Sequence, residues 1–197
     1  QGAEGIAVGL ASKFLPHNFI ELIDASIAYL RDEPFVLYPD FPTGGLMDVT
    51  NYNDGIRGGR VRIRAKISQQ DKRTLVITEI PFGTTTGSVI ESIVKENDKG
   101  KIKIKKIDDN TAEQCEIIIF LNAGVSPDQT IDALYAFTQC EVSVSPNACV
   151  IVNEHPAFLG VSEILRASAD RTMELLSWEL RLLIDELESN WHWISLE

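Results

Sequence analysis

The stretch Arg60-Val61-Arg62-Ile63-Arg64-Ala65-Lys66-Ile67 alternates cations with apolar residues at a strict period of two. An extended strand sends successive side chains to opposite faces. Arg60, Arg62, Arg64 and Lys66 then share one face, and Val61, Ile63, Ala65 and Ile67 share the other. The apolar face packs on a core. The cationic face stays in water, as on a charged edge strand that resists aggregation, or it meets a polyanion. Lys101-Ile102-Lys103-Ile104-Lys105 repeats the pattern. Residues 55–106 hold 13 Lys and Arg against 5 Asp and Glu, a balance of +8, whereas the whole chain stands at −11. A separation this steep suits a surface that faces nucleic acid better than uniform acidity.

The remaining composition narrows the class. A chain of 197 residues is long enough for one large domain, or for one domain with an appendage. Its apolar runs fall short of the roughly 20 residues that span a bilayer. The start, Gln1-Gly2-Ala3-Glu4, lacks the basic region of a secretory signal. Cys115, Cys140 and Cys149 show no metal-like spacing and read as reduced thiols of a cytoplasmic protein. His17, His155 and His192 are scattered, so no zinc site is expected.

Taken in order, residues 3–14 are small, with Gly5 and Gly9, and suggest a tightly packed helix or a loop pressed against a ligand. Asn18 is an N-cap with Glu21 to complete a capping box, ahead of a helix over 19–31. Residues 32–59 are rich in loops, with Leu46–Val49 a short strand or helical turn. Arg57 lies in the turn before the basic strand and is a candidate phosphate contact. Thr74–Ile80 returns as a strand. Gly83–Ser88 opens a helix over 89–95, with Thr86 or Ser88 as cap and Ser88 and Glu91 as a capping box. Its free N–H groups suit a phosphate, although capping explains the pattern equally well. No Gly-Lys-Ser/Thr follows, so it is not a P-loop. Lys99–Ile107 is a second basic strand and Glu116–Leu121 a central one. Ser126-Pro127-Asp128 starts a helix. Glu141–Val144 and Cys149–Val152 are strands. The fold class is α+β, an antiparallel sheet with covering helices on one face. Leu165, Met173, Leu176, Leu180, Leu183, Leu187 and Trp191 then mark one long acidic helix over 161–196.

Several motifs resemble those of one family. Gly5-Ile6-Ala7-Val8-Gly9-Leu10-Ala11-Ser12 with Pro16-His17-Asn18, Pro39-Asp40-Phe41-Pro42-Thr43-Gly44, Gly58-Gly59-Arg60-Val61 and Glu79-Ile80-Pro81-Phe82 are similar, in order, to blocks of the A subunit of bacterial type IIA DNA topoisomerases. Lys101–Asp109 and Thr84–Thr86 look more like topoisomerase IV than gyrase. The resemblance implies three parts: residues 1–31 as the end of a DNA-gate region, 32–160 as an α+β tower domain, and 161–197 as the first helix of a coiled-coil arm. It implies that Ile6 wedges between base pairs. It also implies a cleaving tyrosine after an arginine. Tyr29, Tyr38, Tyr52 and Tyr135 do not follow one, so the chain is expected to begin after that nucleophile and not to cleave DNA alone.

Expected partners are double-stranded DNA, the B subunit of topoisomerase IV (or of gyrase), and a second copy of the A subunit. ATP and magnesium belong to the partner subunit, and no cofactor is expected within this chain. The expected DNA contacts are Ile6, Arg57, Arg60, Arg62, Arg64, Lys66, Thr86, Lys101, Lys103 and Lys105. About five neutralised phosphates would give a log K against log salt slope of about −4.5. A basic module that binds RNA or the ribosome would use a similar sheet, but it ordinarily adds stacking aromatics, which these strands lack. A dimerising scaffold would account for the long helix and leave the basic strands unexplained.

Overall fold

The structure, a computed structural model, describes residues 2–196. The elements in order are β1 (Ala3–Ala7), β2 (Leu10–Phe14), α1 (Phe19–Leu30), β3 (Leu46–Asp48), a 3-10 turn (Asn53–Gly55), β4 (Val61–Arg64), β5 (Lys66–Asp71), β6 (Thr74–Glu79), α2 (Thr86–Asp98), β7 (Ile104–Asp109), β8 (Ile117–Leu121), α3 (Pro127–Phe137), β9 (Glu141–Val144), β10 (Cys149–Val152), β11 (His155–Phe158) and α4 (Val161–Ser195). The α+β class holds, and every strand pair is antiparallel. The single sheet does not. The strands form four sheets, with orders β1-β2, β10-β11, β3-β4-β9 and β5-β6-β8-β7.

The division falls inside the stretch that alternates most regularly. Ala65 is fully buried, its N–H donates to Cys140 O, and its carbonyl accepts the Tyr135 hydroxyl. The first bond extends the β4–β9 ladder by one residue, and the second takes the carbonyl that a continuous strand would have paired. The chain therefore crosses at Ala65 from the three-stranded sheet to the four-stranded one. Two cores result. Beneath the larger sheet, Leu75, Ile77, Ile117 and Ile119 pack on Val89 and Ile93 of α2 and Leu134 of α3. Beneath the smaller, Val61, Ile63 and Val144 pack with Leu15, Phe41 and Tyr52. Each fully buried isoleucine contributes about 1.5–3 kcal/mol.

Local signals fared unevenly. Residues 3–14 are neither helix nor ligand-pressed loop but a hairpin, turned through Gly9 at φ 79. Alanine and glycine carry too little side chain to declare a strand, so pairing decided. Asn18 caps α1 by accepting from Ile20 N at 3.0 Å, but Glu21 forms no reciprocal bond. The cap of α2 is Thr85, not Thr86 or Ser88. Thr85 and Ser88 make the box reciprocally, and Glu91 takes no part. Ser126 and Pro127 start α3 as expected, although the Ser126 hydroxyl makes no capping bond. Strand β11 was not foreseen because it contains Pro156. A two-stranded ribbon tolerates proline, since one side of each strand is unpaired.

α4 is a single helix of 35 residues, about 52 Å long at 1.5 Å per residue. Its first turns are half-buried and the rest stands in solvent, including Leu176, Leu180, Leu183, Leu187 and Trp191. Gly160, at its N-cap, has no side chain to cap with. Asp54 does so from 108 residues away, accepting from Ser162 N at 3.1 Å and from the Ser162 hydroxyl at 2.9 Å. Tyr29 of α1 adds a second tie, its hydroxyl donating to Asp170 at 3.0 Å. Among the described residues no helix is long and apolar enough to cross a membrane.

Candidate nucleic-acid interface

Ile6 sits on β1 opposite Ala11 and is 88 % exposed; Val8 at the tip is bare. It is no core residue. The ribbon is held at its base by paired backbone bonds between Lys13 and Asn147 (2.8 and 3.0 Å) and by Asn147 Nδ2 donating to Ala11 O. The Ser12 hydroxyl donates to Cys149 O. That antiparallel bridge aligns the β1-β2 hairpin with the β10-β11 hairpin, and both tips point the same way. The second hairpin carries Ile151 on β10, also largely exposed. Two short ribbons thus present apolar side chains together.

Arg60, Arg62, Arg64 and Lys66 are all exposed, while Val61, Ile63 and Ala65 are buried, as the alternation requires. They do not share one strand. Arg60 precedes β4, Arg62 and Arg64 lie on it, and Lys66 begins β5 in the other sheet. Nor is β4 an edge strand, because β3 and β9 flank it. The flanking strands carry carboxylates. Asp48 faces Arg62 at 2.5 Å, Glu141 faces Arg64 at 2.5 Å, and Glu79 reaches Lys66 at 3.0 Å. Hydrogen bonds from the Thr50 hydroxyl and backbone, then from Arg62, hold Asp48 well below the usual carboxylate range; Asp48 in turn raises Arg62. Glu79 is lowered first by the Gly45 N–H and then by Lys66. Exposed pairs of this kind contribute little, because water screens them. A phosphate can therefore compete for the cation, but it does so beside a carboxylate.

The second basic stretch also alternates in exposure, with Ile102 and Ile104 buried between Lys101, Lys103 and Lys105. Only Ile104–Asp109 is strand, shorter than the expected Lys99–Ile107. Lys101 pairs with Glu96 at 2.9 Å and lies over the Phe137 ring at 4.9 Å. Thr86 is the first residue of α2, half-buried, behind the Thr85–Ser88 box. Arg57 stands over the Phe158 ring at 6.0 Å. Arg57, Arg60, Lys103 and Lys105 have no carboxylate within ion-pair distance among the described residues. The structure thus separates the ten expected contacts into one bare isoleucine, four unpaired cations, four paired ones and Thr86.

Sequence reasoning overlooked Arg73 and Lys106, which the larger sheet brings beside Lys105, and it overlooked a half-buried polar pair. His17 Nδ1 lies 2.9 Å from Leu15 O and its Nε2 lies 3.1 Å from the Tyr52 hydroxyl. A carbonyl only accepts, so Nδ1–H donates and the Tyr52 O–H donates to Nε2. The imidazole is satisfied when neutral, and burial lowers its pKa. Three of the tyrosine hydroxyls have internal partners: Tyr29 on Asp170, Tyr52 on His17 and Tyr135 on Ala65 O. Among the described residues, no three His, Cys, Asp or Glu side chains gather as a metal site.

Comparison with known proteins agrees with the motif order. The chain is 43 % identical over 182 residues to the A subunit of DNA topoisomerase 4 from Borreliella burgdorferi, covering 92 % of this chain and 29 % of the relative. It is 32 % identical to the A subunit of DNA gyrase from Lawsonia intracellularis (97 % and 25 % covered) and 34 % identical to that of Dehalogenimonas lykanthroporepellens (83 % and 22 %). The chain thus spans under a third of the length of these relatives. A family model described as the A subunit of DNA gyrase/topoisomerase IV matches residues 1–197, and the chain belongs to that family.

Proposed function

We propose that this chain is the tower region and first arm helix of the A subunit of a topoisomerase IV, and that it holds the arms of a bent DNA duplex. The parent enzyme would pass one duplex through a transient double-strand break in another, with ATP and magnesium on the B subunit and a second A subunit completing the gates. Identity of 43 % to a relative named as the A subunit of DNA topoisomerase 4, against 32 % and 34 % to two named as A subunits of DNA gyrase, favours topoisomerase IV over gyrase. The long exposed leucine stripe of α4 suits a returning helix of a coiled coil, and the reduced cysteines suit the cytoplasm.

One observation carries the reading: an isoleucine held bare at 88 % exposure on a ribbon bonded firmly at its base. Unstacking a base step costs a few kcal/mol, and the bend it creates offsets this by bringing more protein surface into contact. The unpaired cations Arg57, Arg60, Lys103 and Lys105 would take phosphates without reading bases. Four contacts give a log K against log salt slope of about −3.6.

The test has two arms. Titration with duplex DNA, duplex RNA and single strands across a salt series should show salt-sensitive, sequence-tolerant binding that is strongest for duplex DNA. Ile6→Ala should reduce the bend, read by fluorescence transfer between duplex ends, more than it reduces affinity. No duplex binding at low salt refutes the reading. A preference for RNA would favour the ribosome-associated alternative.

A further inference from the structure

The larger sheet carries a feature that the alternating pattern conceals. On β7, Ile104 pairs with Leu121 but Lys106 pairs with the next residue back, Phe120, so Lys105 is an extra, unpaired residue. A bulge of this kind reverses the phase of a strand and re-aims its side chains. Ile104 and Ile107 consequently both turn toward the core, and Lys105 and Lys106 are both exposed. Regular alternation would have turned Lys106 inward. Phe120 also pairs with Thr74, and Leu121 N donates to Arg73 O at 2.8 Å. Three adjacent strands therefore bring Arg73, Lys105 and Lys106 to the rim of one cavity of about 470 Å³, with Phe120 and Asn122.

The local carboxylates leave most of this charge free. Lys106 pairs with Asp108 at 2.7 Å. Asp71 is occupied by the Arg73 backbone N–H at 2.7 Å and the Thr74 hydroxyl at 3.0 Å. Arg73 and Lys105 have no ion-pair partner among the described residues. We infer that this cavity is a second phosphate-binding station, at which Arg73, Lys105 and Lys106 hold the sugar–phosphate backbone of a DNA duplex while the Asn122 amide offers a neutral donor. The inference rests on the proposed duplex-binding reading and extends it to the far end of the sheet. From the Lys66–Glu79 pair to Thr74 is five residues along β6, about 17 Å at 3.4 Å per residue. That distance is roughly five base-pair steps at 3.4 Å each.

The test uses the 197-residue chain and a fluorescent duplex, with the salt slope as readout. The variant Arg73→Gln/Lys106→Gln, which leaves the four cations of the duplex reading in place, should make the slope shallower by about 1.8, the equivalent of two lost phosphates. Asn122→Asp, which adds a negative charge without deleting a cation, should weaken binding in the same direction. Circular dichroism and melting temperature, unchanged in both, exclude unfolding. If Arg57→Gln/Arg60→Gln lowers the slope and the cavity variants do not, the station is refuted while the duplex reading stands. If the unaltered chain binds no duplex, both fall. A third arm titrates inorganic phosphate and follows amide chemical shifts of Arg73, Lys105 and Leu121. Shifts that a duplex cannot reverse by competition would make this a small-anion site and overturn the assignment to DNA.

Discussion

Asp54 fastens the longest helix to the body of the molecule, and its removal has a size that can be worked out. The carboxylate accepts both the backbone N–H and the hydroxyl of Ser162. Losing a capping side chain costs about 1–2 kcal/mol, and the favourable placement of a negative charge at a helix N-terminus adds about 0.3–1 kcal/mol. Asp54 also has φ 51 and ψ 28, a left-handed conformation that Asp and Asn tolerate and that costs alanine about 1 kcal/mol or more. Asp54→Ala should therefore lose about 3 kcal/mol. For a chain of this length that lowers Tm by about 6–12 °C, at about 2–4 °C per kcal/mol. Asp54→Asn keeps one acceptor and the backbone preference, so it forfeits only the charge, about 0.5 kcal/mol, or about 1–2 °C. Calorimetry measures both. Hydrogen exchange at Ser162–Ile164 should quicken in the alanine variant and stay near the original in the asparagine one. Equal melting temperatures for the two variants would refute the capping account. Gly160 belongs to the same device, because a Cβ there would collide with the Asp54 carboxylate; Gly160→Ala should push that carboxylate off Ser162 and destabilise in the same assay.

Two other outcomes follow from the charges. Neutralising Arg57 and Arg60, which have no carboxylate partner among the described residues, should weaken duplex binding more than neutralising Arg62 and Arg64, which share their face with Asp48 and Glu141; anisotropy at low salt checks this, and the reverse order would count against the pairing argument. His17, whose pKa is lowered by burial more than the fields of Asp54 and Glu21 raise it, takes up protons in the unfolded chain before the folded one. Stability should thus fall as pH drops below about 6.5, the ordinary histidine value, and His17→Gln should flatten that part of a denaturant-midpoint profile; an unchanged slope would show that the imidazole is not the group responsible.

The boundary between local and tertiary information runs through single residues. The exposure of Arg60, Arg62, Arg64 and Lys66 over buried Val61, Ile63 and Ala65 was legible, because a period of two leaves an extended chain little choice once one face is apolar. The apolar repeat without glycine or proline made α4 legible, and the motif order made the family legible. The hairpin over 3–14 was not legible, because alanine favours helix and glycine favours no regular state, so neither announces a strand. The crossing at Ala65 was hidden because it depends on Cys140 O and the Tyr135 hydroxyl, far away in the chain. The carboxylates beside Arg62 and Arg64 were hidden for the same reason, and so was the grouping of Arg73 with Lys105 and Lys106. Alternation along a strand is a local property, set by backbone geometry, so over residues 60–66 the sequence alone determined which side chains face water, whereas the outward turn of Lys106 needed the bulge. Which charges those residues meet depends on strand order and on one bulge. Both are settled by contacts between distant segments, and only the tertiary structure could decide them.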